Sequence, residues 1–179
     1  DISALNGLTA LTQLHLADNL ISDSGISVVS GFTSLTLLDL RINLLTDISG
    51  LSELTSLTSL RLEANTIIDI SALSDLTSLS GLWLFNNSIA DIGALSELTA
   101  LTELDLHANS ITDVGSLSGL TNLTFLGLSD NPDLDNIQPL LDNTGLGVDD
   151  VVDLKTTNAS CTDVAALETK GVSVSSDCP

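Results

Sequence analysis

Methionine and tyrosine are absent from this 179-residue chain, which has one tryptophan, three phenylalanines, three prolines and two cysteines. With so few rings, the interior must be built from aliphatic side chains. Basic residues are nearly as scarce, four against 24 acidic, for a net charge of −20. Nucleic acid and anionic lipid both require a basic footprint, so neither is an expected partner. Acidity of this kind serves solubility and is common on secreted surfaces. Apolar runs extend over only a few residues, too short for a membrane span. The cysteines, Cys161 and Cys178, both lie near the C-terminus, with no Cys-x-x-Cys motif and no adjacent histidine. That disfavours zinc or redox chemistry and predicts a disulfide, hence an oxidising, extracytoplasmic compartment.

What is present is one motif written six times. Leu57 to Ile70 reads Leu-x-x-Leu-x-Leu-x-x-Asn-x-Ile-x-Asp-Ile. The marker asparagines are Asn19, Asn43, Asn65, Asn87, Asn109 and Asn131, spaced by 24 residues once and by 22 thereafter. A fixed period with this leucine pattern predicts a leucine-rich-repeat solenoid. The expected architecture is an α/β arc with a concave parallel β-sheet, a 3₁₀ or irregular convex side and a C-terminal cap. Each Leu-x-x-Leu-x-Leu supplies a strand, stacked about 4.8 Å from the next. The asparagines should be buried, satisfying backbone groups of neighbouring turns. The aspartates Asp1, Asp23, Asp47, Asp69, Asp91 and Asp113 precede a three-residue apolar spacing. They are placed to cap tight convex turns. One carboxylate per rung does not build a calcium cage, and the acidic C-terminal turns lack an EF-hand pattern, so no metal is assigned.

Departures from the period are also legible. Ser24-Gly25 is a two-residue insertion, expected to bulge on the convex side. After Asn131 the spacing changes, and Val152-Asp153-Leu154 reads as a degenerate strand. Ser160 to Lys170 reads as a short helix stopped by Gly171, followed by a β-like Val172-Ser173-Val174. The chain divides into repeats over 1–147 and a last strand plus cap over 148–179. It opens in mid-repeat, which predicts a piece of a longer protein.

The full period from Leu57 to Ser78 closely resembles the 22-residue repeat of bacterial internalin-type surface proteins. The likeness covers roughly residues 1 to 140 and weakens after Asn131, where a Cys-containing cap takes over. The resemblance implies a cell-surface or secreted, bacterial protein that binds other proteins through its concave sheet.

Seven of the eight Arg, His, Trp and Phe residues fall in the outward slots of the strand motif. They are His15, Arg41, Arg61, Trp83, Phe85, His107 and Phe125, in slots that make up 30 of the 179 positions. Phe32, the eighth, replaces a core leucine. Arginines and aromatics are the side chains that dominate interfaces. One row across the sheet runs His15, Asp39, Arg61, Trp83, Asp105, Gly127; the next runs Ala17, Arg41, Glu63, Phe85, His107, Ser129. Asp39 should face Arg61, Arg41 should face Glu63, and Arg61 should lean over Trp83. Such a checkerboard either satisfies itself or contributes to binding. Trp83 and Phe85 should be wet unless something covers them, which marks a binding patch. Gly81 and Gly127 beside it either leave shallow pockets or let Trp83 lie flat. Phe125 supplies a second anchor, with Glu103 and Asp105 between. His15 and His107 lie four rungs apart, about 19 Å, too far for a proton relay. No nucleophile elbow, phosphate loop or zinc-protease motif occurs.

The expected function is therefore non-enzymatic recognition by a monomer without cofactor. The ligand is a protein or, second, a glycan, met at Asp39, Arg41, Arg61, Glu63, Trp83, Phe85, Glu103, Asp105, His107 and Phe125. An extracellular spacer without ligand is the alternative. Ice binding through the column Thr9, Thr33, Thr55, Thr77, Thr99, Thr121 and the column Thr12, Thr36, Thr58, Ser80, Thr102, Thr124 is the minor one. The first of these columns is expected to spend its hydroxyls on the turn's own backbone.

Overall fold

A computed structural model describes residues 2–179. Asp1, the first of the predicted aspartate column, lies outside the described residues. Eight three-residue strands form one parallel sheet in sequence order. They are β1 Gln13–His15, β2 Leu37–Asp39, β3 Ser59–Arg61, β4 Gly81–Trp83, β5 Glu103–Asp105, β6 Phe125–Gly127, β7 Val151–Asp153 and β8 Ser173–Ser175. Every interior leucine meets its counterpart in register, Leu38 with Leu60, Leu60 with Leu82, Leu82 with Leu104. Stacked copies of one aliphatic side chain make the core, and Leu38, Leu60, Leu82, Leu104 and Leu126 are completely buried.

The chain crosses the convex side in 3₁₀ turns at Ser49–Leu51, Ser71–Leu73, Gly93–Leu95 and Gly115–Leu117. Each is entered through an aspartate whose Oδ1 accepts the N–H two residues on. Asp47 accepts from Ser49 at 2.7 Å, Asp69 from Ser71 at 2.8 Å, Asp91 from Gly93 at 2.8 Å and Asp113 from Gly115 at 2.7 Å. For Asp69 the N–H of Ser71, helped by its side chain, holds the carboxyl below the usual carboxylate range. The insertion at Ser24-Gly25 is not a bulge. It converts the turn into a true helix, α1 Asp23–Val29, because two more residues let the segment close i→i+4 hydrogen bonds in place of i→i+3. Asp23 then serves the next rung, accepting from Thr46 N at 2.8 Å, Asp47 N at 3.0 Å and Thr46 Oγ1 at 2.6 Å. The Asp47 N–H, then the Thr46 hydroxyl and N–H, hold its carboxyl below the usual range.

The asparagine ladder closes the sheet's far edge. Asn65 Oδ1 accepts from Leu45 N at 3.0 Å, one turn back, and its Nδ2 donates to Leu40 and Leu62 carbonyls at 3.1 and 3.0 Å. Asn43, Asn109 and Asn131 are buried and bonded the same way, and Asn87 is half-buried with the same set. Asn19 departs from the expectation: it is exposed, and its amide bonds only its own turn, at Leu16 and Ala17. The threonine columns also divide differently than expected. In the second column, Thr36, Thr58, Ser80, Thr102 and Thr124 each donate a hydroxyl to the carbonyl one rung back, at 3.0–3.1 Å. In the first, Thr33, Thr55, Thr77, Thr99 and Thr121 are exposed.

At the C-terminal end, α2 Gln138–Asp142 replaces the 3₁₀ turn, and α3 Cys161–Thr169 follows β7. The Ser160 hydroxyl accepts from Asp163 N at 3.2 Å and caps α3. Gly171 ends it at φ +95°, a left-handed conformation that glycine adopts without strain. Cys161 and Cys178 form a disulfide with Cα atoms 5.5 Å apart, tying α3 to the segment beyond β8. No helix among the described residues is long and apolar enough to cross a membrane.

Candidate functional site

The in-register sheet places three outward rows side by side. The first holds Ser59, Gly81, Glu103 and Phe125; the second holds Asp39, Arg61, Trp83 and Asp105. The third follows two residues later as Arg41, Glu63, Phe85 and His107, still paired through bonds such as Ala64 N to Phe85 O at 2.9 Å. Period alone brings these twelve positions together, and all ten predicted partner-binding residues are among them.

Side-chain contacts sort the site into two parts. Around β2 and β3 the charges face one another. The carboxyls of Asp39 and Glu63 are both buried, each residue 4% exposed. Arg41 reaches both, with Nε 3.5 Å from Asp39 and Nη1 3.9 Å from Glu63. Arg61 Nη1 stands 4.0 Å from Glu63. The predicted facing pair Asp39 and Arg61 is in register but is not an ion pair. Arg61 lays its guanidinium over the Trp83 ring at 4.8 Å, as expected, and so turns away from the carboxylate one strand back. Asp39 turns instead along its own strand to the Arg41 N–H at 3.3 Å and toward His15 Nδ1 at 3.9 Å. Burial pushes the Glu63 carboxyl up. Its own backbone N–H, Arg61 and Arg41 oppose that rise, and Asp39 adds to it. Glu63 Oε2 is buried with no hydrogen-bond partner.

Around β4 to β6 the rings are partly covered by the chain itself, so they are less wet than an open face implies. A Cβ on Gly81 would stand 2.5 Å from Trp83 Cη2 and 2.8 Å from Cζ3, so the indole lies across the bare glycine. Of the two roles open to Gly81, the structure takes the seat for Trp83. At Gly127 the Asp105 carboxylate occupies the equivalent space, 2.4 Å from where a Cβ would stand. Phe85 stacks on His107 with ring centroids 4.4 Å apart and planes 14° from parallel. Asp105 Oδ1 holds His107 from below, 2.8 Å from Nδ1 and 3.2 Å from its backbone N–H. Trp83, Phe85 and Phe125 remain half-exposed, and Glu103 is exposed.

Two features are not legible in the repeat pattern. The residue before each ladder asparagine has left-handed φ: Asp18, Ile42, Ala64, Asn86, Ala108 and Asp130, all between 52° and 55°. These slots therefore turn off the sheet, and only Asn and Asp among their occupants hint at it. Asn143 is completely buried and bonds the Leu117 and Leu120 carbonyls at 2.9 and 3.1 Å, outside the periodic pattern. No group of three or more His, Cys, Asp or Glu side chains placed to hold a metal occurs among the described residues.

Known proteins share both pattern and shape. A family profile described as leucine rich repeat matches residues 9–67, and one described as leucine rich repeats (2 copies) matches residues 77–114 and 99–142. No curated protein sequence matches significantly. Among solved structures, an internalin (inlF) from Listeria monocytogenes superposes with a TM-score of 0.88 at 31% identity, over 100% of this chain and 51% of that one. This chain thus spans about half the length of that internalin. Internalin C2 from the same organism superposes with a TM-score of 0.85 at 31% identity, over 94% of this chain and 72% of that one. The functional domain of InlJ, which includes a cysteine ladder, is 27% identical with a TM-score of 0.75, over 89% of this chain and 33% of that one. With leucine-rich-repeat profiles on both halves and internalin C2 matched over most of its length, this chain belongs to the internalin-like leucine-rich-repeat proteins.

Proposed function

We propose that this chain is a non-enzymatic, secreted or cell-surface module that binds a protein partner on its concave face, centred on Trp83 and Phe85. Leucine-rich-repeat folds of this kind are typical protein-recognition modules. The observation that carries the reading is the pair of half-exposed rings flanked by stacked cationic and imidazole groups. Rings held in place by their neighbours present apolar area at little ordering cost, which is how aromatic anchors gain affinity. The disulfide supports an oxidising compartment. The test is capture of a partner by the immobilised chain. Trp83→Ala with Phe85→Ala abolishes capture while the chain still unfolds cooperatively; Ile68→Ala, an exposed position off the concave face, does not. Retained capture by the double variant refutes the reading.

A further inference from the structure

We propose that the concave face carries a seat for a single organic cation, formed by Trp83, Glu103 and Phe125, and that it takes a lysine or arginine side chain of the partner. This deepens the concave-face reading and rests on it. Gly81, Glu103 and Phe125 are register neighbours on three successive strands. The Trp83 indole occupies the space above Gly81, so a carboxylate stands between two rings. Gly81 and Phe125 are two strand spacings apart, about 9.6 Å, with Glu103 on the strand between them.

The charge on this seat is free, whereas its neighbours' charges are engaged. Asp39 and Glu63 are buried beside Arg41 and Arg61. Asp105 is bonded to His107. Glu103 is exposed, and its carboxylate has no hydrogen bond or ion pair among the described residues. The Trp83 indole N–H and the Phe125 ring likewise have no partner among the described residues. Aromatic faces attract cations through the ring quadrupole, and a carboxylate adds a charge-assisted hydrogen bond. Among the described residues no Lys or Arg forms an ion pair with Glu103: Arg61 stands 4.0 Å from Glu63 and over the Trp83 ring, Arg41 meets Asp39 and Glu63, and Lys170 is committed to the carbonyls of Leu140, Leu141 and Asn143. On a chain of net charge −20, a basic partner is also the electrostatically favoured one.

The chain carries its own reporter, since Trp83 is the only tryptophan and there is no tyrosine. Titration of the intact protein with a tetra-arginine amide peptide, in about 0.15 M salt to screen the global charge, should change Trp83 emission saturably. A tetra-glutamate peptide should not. Glu103→Gln should weaken the arginine peptide about ten-fold, and Phe125→Leu should weaken it by a smaller factor. Glu53→Gln, which removes an exposed carboxylate off the concave face, should leave it within about two-fold. Absence of an emission response, or equal weakening by Glu103→Gln and Glu53→Gln, overturns the cation seat. Neither result bears on partner capture by the wild type and its loss in the Trp83 and Phe85 double variant, so a concave binder with a different anchor is told apart from no concave binder at all.

Discussion

Gly81→Ala tests the architecture of the site without removing any group that would contact a ligand. The added Cβ would stand 2.5 Å from Trp83 Cη2 and 2.8 Å from Cζ3, and ordinary carbon contacts lie near 3.5–4.0 Å. The ring edge must therefore retreat by about 1 Å, and the retreat also pulls it from the Arg61 guanidinium, 4.8 Å from its centroid. A buried tryptophan covers about 150–250 Å². Uncovering roughly 50 Å² of that costs about 1.3 kcal/mol at 25 cal/mol per Å². Against this, Gly81 has no left-handed φ, and replacing such a glycine by alanine stabilises by about 0.4–1 kcal/mol through the unfolded chain. The two terms nearly cancel, so the urea midpoint should fall only slightly. Trp83 emission should nonetheless shift to the red, its quenching by acrylamide should rise, and the arginine-peptide response should weaken. Wild-type emission and quenching would show that the indole does not rest on Gly81. A loss above about 3 kcal/mol would show that the backbone, not the ring, gives way.

The remaining predictions concern the frame. Asn65→Ala orphans the buried Leu45 N–H and removes the donor to the Leu40, Leu62 and Glu63 carbonyls, so urea unfolding should show a loss of about 3–5 kcal/mol. Asn19→Ala, exposed and bonded only within its own turn, should cost less than about 1 kcal/mol in the same assay. Lys170→Met strips the end of α2 of an ammonium that donates to Leu140, Leu141 and Asn143 carbonyls at 3.3, 2.9 and 2.6 Å; a loss of about 2–3 kcal/mol should appear in thermal or urea unfolding. Ile42→Asn relieves a β-branched residue at φ 53°, a position that Asn86 fills two turns later, and should raise the melting temperature by an amount corresponding to about 1 kcal/mol. Because Asp23 has a lowered pKa in the fold, its contribution is complete above the ordinary aspartate range and is lost as pH falls through the lowered value. The stability gap between wild type and Asp23→Ala should therefore close in acid; a gap that persists below that pH would contradict the assignment.

The period made the rows legible because parallel stacking with constant turn length fixes Cα register, as in Asp39, Arg61, Trp83 and Asp105. It did not reveal which neighbours pair, because a guanidinium has one orientation and several takers; Arg61 chose the indole over Asp39. Local conformation was hidden where the occupant disguises it. Ile42, Ala64 and Ala108 sit at left-handed φ, and nothing about their side chains requires it. α1 is not legible from the period, because two inserted residues look like surplus chain, whereas they are what a 3₁₀ turn needs to become α-helical. Lys170 and Asn143 lie beyond the last regular rung, where no periodicity says which carbonyls they will meet.

The unfavourable features of this chain are not spread evenly. Turn after turn obeys the same rules: leucine inside, asparagine bonded, aspartate capping. The departures gather on the outward face of β3 to β6. Glu63 is a buried carboxyl with an unpartnered oxygen, and its raised pKa means that it favours the fold in acid and loses that contribution as pH rises through the raised value, opposite in sign to Asp23. Trp83 and Phe85 leave ring faces half in water, and Glu103 leaves a charge without a partner. The other unsatisfied buried side-chain atom among the described residues, Ser116 Oγ, is a neutral hydroxyl and much less costly than a carboxylate oxygen. Local rules are broken where a protein uses a surface rather than merely builds it. Glu63 links the two: its approach to Arg61 sets the guanidinium that lies over Trp83. The buried carboxyl, whose contribution is lost as pH rises through its raised value, thus stands behind one wall of the ring that borders the cation seat.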